Sequence, residues 1–448
     1  MTSRKFDRQP TQVQTLERDG RPEAEVDVQC LPGDIAGPGR RERKAMEQGR
    51  QMPNLVIAGG WLVFPNGTTR GDIGIAGGRI VDRSEAESET HIRVDAADCF
   101  VFPGFINSHD HLSMALFPRS RGGDWPNVHD WREDVYRSED PPFSTIRRIT
   151  EEDCVLWGAY RNLLGGVTAV ADVRPRPSEA ENSGLPVKVL SGFVSGHSVE
   201  DPATVLKAFR STNGIRPFLI HLAEGWDREA QNEPARAREL GILGPNTLIV
   251  GGVGIDERDI PALRKEGVGL VWCPSANRHI LNATVRPHLL GGALRGVLGT
   301  ESALCGRGNL LDEVRAAAEE ALVPLSRILR MITTEAAHVF RLPDRSGTLL
   351  PEAPGDVVIL PRLAHHPVRS LLGCRSEDIR LVLVDGGPQL ADPDLAGLFQ
   401  AGGRSSCRFR INGREKLIAR PFEDLYKRTI SALPPEAALT PIGCRIEP

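Results

Sequence analysis

Cys99-Phe100-Val101-Phe102-Pro103-Gly104-Phe105-Ile106-Asn107-Ser108-His109-Asp110-His111 is the stretch on which the reading of this chain turns. The apolar run has the texture of a buried strand, and it closes on two histidines spaced i and i+2. Alternate residues of a strand point to one face, so both imidazoles project together and Asp110 points away. Two neutral imidazoles converging at a strand's C-terminal end make half of a divalent-metal site.

Upstream of this stretch, the chain reads as short β segments divided by turns. Leu55 to Gly60, Trp61 to Phe64, Ile73 to Ile75 and Arg79 to Val81 are separated by Pro65-Asn66-Gly67 and Gly77-Gly78. Residues 1–52 are polar, mixed in charge and aperiodic, the composition of a loose tail.

Downstream, strands alternate with helices. Thr150 before Glu151-Glu152-Asp153 predicts a helix start, and Gly165-Gly166 its end. Buried strands follow at Val167–Ala171, Val187–Leu190, Phe218–Ile220, Thr247–Val250, Gly269–Cys273 and Gly296–Gly299. Helices are predicted near 228–240, from Asp256, over Leu310–Leu322 and from Pro324 to about Phe340. The interval before His221 is short for two complete βα units, so one strand there is expected to be short or irregular. β texture returns at Gly355–Leu360 and Ile379–Gly387. The expected fold is α/β: parallel strands and crossover helices closed into a barrel over 103–344, with one small discontinuous β domain assembled from 53–102 and 345–415. Residues 416–448 read as a C-terminal extension.

In a βα barrel the reacting groups gather where strands end. His109 with His111, His221 with Glu224, and Glu301 occupy such ends. Three imidazoles and a carboxylate suit one divalent ion, zinc first and iron or manganese as alternatives, with room for water. Such an ion lowers the pKa of water from ~15.7 toward ~7. Glu224, three residues past His221, is a candidate proton carrier.

These same residues carry a resemblance. Pro103 through His111 is similar to the first-strand signature of the amidohydrolase superfamily. The likeness continues through Gly166-Val167-Thr168-Ala169-Val170, His221-Leu222-Ala223-Glu224, Cys273-Pro274-Ser275-Ala276-Asn277, Leu298-Gly299-Thr300-Glu301-Ser302 and Gly355-Asp356-Val357-Val358. It resembles most the cytosine deaminase and chlorohydrolase-like branch, which implies a distorted (β/α)8 TIM-like barrel over 103–344 and a small composite β-sandwich domain from the N- and C-terminal flanks. That implies hydrolysis of a non-peptide carbon–nitrogen bond in a small molecule, with His109, His111 and His221 as ligands and Glu224 as proton shuttle. Two positions depart from the pattern. Gly251 stands where the sixth strand normally ends in histidine, and Glu301 where the eighth normally supplies aspartate as ligand and base. An extra methylene shifts a carboxylate by about one C–C bond, a displacement active sites tolerate poorly. These departures keep two alternatives open, a catalytically degenerate binding protein and a non-hydrolytic lyase or isomerase on the same scaffold.

Substrate contacts are signalled more thinly. Phe117 to Arg121, with Trp125, His129 and Trp131, is expected to form a loop over the barrel mouth. Arg119 or Arg121 is a candidate for gripping a carboxylate. His197 is a candidate replacement for the missing imidazole, and Asn277 a candidate for orienting substrate; His338 reads as structural.

With 448 residues and a net charge of −4, the chain lacks a field suited to nucleic acid or anionic membrane. No apolar run approaches the ~20 residues of a membrane-spanning helix, and the N-terminal segment lacks a secretory core. Eight scattered cysteines without a Cys-x-x-Cys pair suit reduced thiols. The expectation is a cytoplasmic protein acting on a small molecule, with homo-oligomerisation left open.

Overall fold

The computed structural model describes residues 54–87, 91–135, 143–174, 184–343, 345–433 and 442–448. The expected N-terminal tail lies outside them. A series of parallel strands forms the centre. The first (Phe105–Asp110), second (Val167–Asp172) and third (Lys188–Val189) make a three-stranded sheet. The fourth (Val194–Gly196), fifth (Phe218–Leu222), sixth (Thr247–Gly251), seventh (Gly269–Trp272) and eighth (Arg295–Leu298) make a five-stranded sheet in chain order. Strands buried on both faces read as continuous apolar runs, which is why these stand out in the sequence. The first strand is buried at every position, Asp110 included. The third and fourth strands have only two and three residues, the irregularity expected before His221.

The two sheets meet where the first strand reaches the end of the eighth. Thr300 N–H and Glu301 N–H donate to the His109 carbonyl at 2.9 and 3.2 Å, and His111 N–H donates to the Glu301 carbonyl at 3.1 Å. Buried Asn107 clips this seam. Its Nδ2 donates to Thr300 Oγ1 and to Asn162 Oδ1, each at 2.8 Å, and its Oδ1 accepts from Thr300 N–H at 3.2 Å. Gly299 allows the close approach: a Cβ there would lie 2.8 Å from His109 Cβ and 3.0 Å from His109 N.

Helix starts follow their caps. Thr150 accepts from Asp153 N–H to open Glu151–Leu163, and Asp227 accepts from Ala230 N–H to open Arg228–Glu239. The Asn309–Asp312 capping box opens Leu310–Glu320. Two helix expectations need correction. Asp256 forms a turn closed by Asp259 (Asp256 N–H to Asp259 Oδ2, 3.1 Å), so the helix there begins only at Ile260. The single helix expected from Pro324 to Phe340 is two, Leu325–Met331 and Thr334–Val339. The Ile332 carbonyl leaves the helical pattern to accept Ile106 N–H of the first strand at 2.8 Å.

The flanks share an 11-stranded sheet. Cys99–Pro103 from the N-terminal side pairs antiparallel with Val357–Pro361 from the C-terminal side. The sheet continues past residue 415: Arg414–Ala419 pairs with both Gly387–Ala391 and Ser406–Ile411, and Ile446–Glu447 pairs with Ser406–Ile411. The cysteines of the described residues are buried and none forms a disulfide.

Replacing Asn107 by alanine strands its buried partners on Thr300 and Asn162. The expected cost is about 3 kcal/mol in urea unfolding. A loss below about 1 kcal/mol would mean that the seam is held by other contacts.

Candidate metal centre

One ligating atom from each of His109, His111, His221 and Glu301 lies within 4.8 Å of the other three. Three separate segments supply this group. The i and i+2 spacing puts His109 and His111 on one side, with ring centroids 5.2 Å apart; the His221 ring, from the fifth strand, lies 4.9 Å from His109 and 6.2 Å from His111. Glu301 adopts a left-handed backbone, φ 57°, which costs a non-glycine residue about 1–2 kcal/mol. Such strain persists where the surroundings over-determine it, here through the seam bonds at both of its backbone groups.

The extra methylene of Glu301 has a visible consequence. Its Oε2 lies 2.9 Å from His109 Nε2 and its Oε1 3.0 Å from His111 Nε2, so the carboxylate straddles both imidazoles. These contacts are not aligned as hydrogen bonds. His109 Nε2, His111 Nε2, His221 Nε2 and Glu301 Oε2 are buried polar atoms with no hydrogen-bond partner. Orphaned donors and acceptors in a dry pocket are costly, and four converging on one point fit a cation. Burial lowers the His109 pKa, favouring the neutral form that ligates metal. Burial pushes Glu301 up, yet the neighbouring His111 and His109 outweigh it and hold the carboxyl well below its usual range.

Asp110 points away as expected. Its Oδ2 accepts from Asn162 Nδ2 at 2.7 Å, and its Oδ1 lies 3.6 Å from the buried guanidinium of Arg161.

Gly251 does not leave an open hole. A Cβ there would run into the Glu224 side chain, reaching Oε1 at 2.9 Å, so Glu224 fills that volume. Glu224 Oε1 also lies 3.1 Å from His221 Nδ1. Burial pulls His221 down, but the Glu224 carboxylate outweighs it and carries the imidazole up to about 9. The turn that swings Glu224 back runs through Ala223 at φ 56°, whose N–H donates to buried Glu233 Oε2 at 2.5 Å.

The remaining candidates divide. His197 stacks on His221 at 6.2 Å with an interplanar angle of 19°, outside the four-residue group; desolvation, then nearby His221, brings its pKa down to about 4. Arg119 donates to the Cys305 carbonyl at 3.2 Å, and Arg121 pairs with Asp134 while lying over Trp125. Neither arginine joins the metal-capable group. Asn277 is buried in the Pro274–Leu281 helix with its Nδ2 unpartnered. His338 is exposed. The segment after His111 crosses the strand ends, with Ser120 N–H to Leu304 O (2.8 Å), Trp125 N–H to Ile280 O (3.2 Å) and Val128 N–H to Glu224 O (2.9 Å), but His129 and Trp131, expected in that loop, lie in the helix Val128–Val135. Sequence reading passed over Asn107 and Glu233. Asn107 sits inside the first-strand motif and was open to notice; no local pattern marks Glu233.

Parallel βα units whose strand ends collect three imidazoles and a carboxylate define a class of α/β proteins equipped for a divalent metal. The pattern of the amidohydrolase family matches residues 213–391. A 5-methylthioadenosine/S-adenosylhomocysteine deaminase of Syntrophobacter fumaroxidans is 24% identical over 427 residues, spanning 78% of this chain and 95% of the relative. One of the same name from Natronomonas pharaonis is 26% identical, over 78% and 95%. Among solved structures, a zinc-bound adenosine deaminase of Xanthomonas campestris aligns with TM-score 0.60 at 17% identity, over 79% of this chain and 98% of that one. A zinc complex of atrazine chlorohydrolase from Arthrobacter aurescens aligns with TM-score 0.62 at 17% identity, over 78% and 100%. The family match, these relatives and these solved structures together support the amidohydrolase superfamily.

Burial raises the Glu233 carboxyl to about 7, against the hydrogen bond from Ala223 that favours its charge. A raised carboxyl contributes stability that is present below its unfolded pKa and lost as pH climbs through the folded one. The melting-temperature difference between Glu233→Gln and wild type is therefore expected to move in the variant's favour from about pH 5 to about pH 8. A difference independent of pH would show that Glu233 is charged throughout.

Proposed function

We propose that this protein is a metal-dependent hydrolase that deaminates an amino-substituted nitrogen heterocycle, with a thioether-bearing adenine nucleoside as the leading substrate class. The observation that carries the reading is the convergence of ligating atoms from His109, His111, His221 and Glu301 within 4.8 Å. The names of the curated relatives support the substrate class. Zinc is the proposed ion, since the donor set suits it and two structural neighbours bind it.

A bound divalent ion supplies a Lewis acid and brings the pKa of water from ~15.7 toward ~7. The chain's own residues do the rest. The three imidazoles and Glu301 hold the ion, and both Glu301 oxygens are engaged at imidazoles, so Glu301 serves as ligand and leaves proton transfer to another group. Glu224 takes that task. Water adds its oxygen to the sp² carbon bearing the amine, the carbon–nitrogen bond breaks, and Glu224 carries one of the water's protons to the departing nitrogen while the other ends on the adjacent ring nitrogen. Carbonyl product and ammonia result.

The proposed architecture is a distorted (β/α)8 barrel over 103–344, closed at the Asn107 seam. The flanks form a composite β domain that extends beyond residue 415. Among the described residues no helix is long and apolar enough to cross a membrane. Buried cysteines that form no disulfide among the described residues support a reducing compartment such as the cytoplasm.

Purified protein is expected to hold close to one equivalent of zinc, lost in His109→Ala or His221→Ala. It should release ammonia from 5′-methylthioadenosine or S-adenosylhomocysteine. Glu224→Gln should lower kcat by about 10²–10⁴-fold. Folded protein that takes up no metal would overturn the reading. Metal-loaded protein that neither releases ammonia from amino-substituted heterocycles nor opens the ring of a cyclic amide would favour the catalytically degenerate alternative.

A further inference from the structure

Resting on the metal site proposed above, we infer that Glu224 and Gly251 form a matched pair in which Glu224 fixes the ring of His221 for metal binding. In this role Glu224 is a positioning residue, separate from its part in proton transfer.

Three observations meet at this point. First, Glu224 Oε1 lies 3.1 Å from His221 Nδ1, while His221 Nε2 is buried without a partner and belongs to the four-residue group. A metal-ligating histidine depends on the partner of its other ring nitrogen, which sets the tautomer and the ring's rotation. With Nδ1–H donating to Glu224, Nε2 carries the lone pair. Second, Glu224 reaches His221 only by occupying the space above Gly251, where any Cβ would collide with its Cγ and lie 2.9 Å from Oε1. Gly251 itself has φ 94°, a conformation that disfavours every other residue. Third, the carboxylate is delivered by a built turn. The fifth and sixth strands pair through Leu222 and Gly251, and Gly252 N–H donates to Leu222 O at 3.0 Å. Ala223 turns left-handed at φ 56°, held by Glu233 at its N–H and by Gly254 N–H at its carbonyl (2.8 Å). Val128 N–H then holds the Glu224 carbonyl at 2.9 Å.

Glycine at 251 is therefore a requirement of the position that Glu224 takes. Restoring a histidine at 251 would expel the carboxylate that orients His221, besides straining the backbone.

Zinc affinity, measured by competition with a chromophoric chelator, separates positioning from catalysis. Glu224→Ala should weaken zinc binding by ~10–100-fold. Glu224→Gln keeps an acceptor for His221 Nδ1–H and should bind zinc close to wild type despite its loss of turnover. Gly251→Ala should weaken zinc binding as Glu224→Ala does, and adding it to Glu224→Ala should cost little more, because the group it displaces has gone. Melting curves of the metal-free variants report whether each is folded; if Gly251→Ala is not, the Glu224→Ala and Glu224→Gln pair decides alone. Zinc affinity unchanged in Glu224→Ala, or equally reduced in Glu224→Gln, would overturn the inference and leave the metal site standing. Wild-type protein that binds no zinc would overturn both.

Discussion

The backbone seam between the ends of the first and eighth parallel strands is the constraint on which the rest of this structure depends. The His109 carbonyl accepts from Thr300 and Glu301, and His111 returns a bond to the Glu301 carbonyl. Without these bonds the carboxylate at 301 and the paired imidazoles would belong to different sheets. With them, a side chain one methylene longer than aspartate reaches both rings. Side-chain amide bonding from Asn107 makes the junction independent of any ligand, so the metal-capable group is assembled by the fold. Preorganisation of this kind lets binding energy go into holding the ion, since little is spent on gathering its ligands.

Backbone strain is also found at this place. Ala223, Gly251 and Glu301 all lie at positive φ, the first two beside the ligating group and Glu301 within it. Each sits at the end of a parallel strand, where the chain must leave the sheet and still aim a side chain back over it. Ala223 and Glu301 are held by hydrogen bonds at both their N–H and carbonyl groups, which explains how non-glycine residues persist there.

Much of this was legible in the sequence, for physical reasons that can be named. The buried parallel strands announce themselves as apolar runs, and the two-residue strand repeat placed His109 and His111 on one side and Asp110 on the other. The capping residue Thr150 marked a real helix start. What escaped depends on contacts distant in the chain. The break between Met331 and Thr334 exists because Ile332 turns its carbonyl to the first strand, which no local propensity encodes. The partners that Arg119 and Arg121 take, the Cys305 carbonyl and Asp134, likewise follow from tertiary placement. Gly251 looked like a missing group; only the positive φ and the Glu224 side chain above it show that the position is filled from a neighbouring strand.

X-ray absorption spectroscopy of the zinc-loaded protein tests the central claim most directly, because it counts imidazoles around the ion. Three imidazole nitrogens at about 2.0–2.1 Å, with oxygen from a carboxylate and no sulfur, is the predicted result. Zinc bound by fewer than three imidazoles, or by a cysteine sulfur, would mean that the ion lies elsewhere and that the gathering of His109, His111, His221 and Glu301 has another purpose.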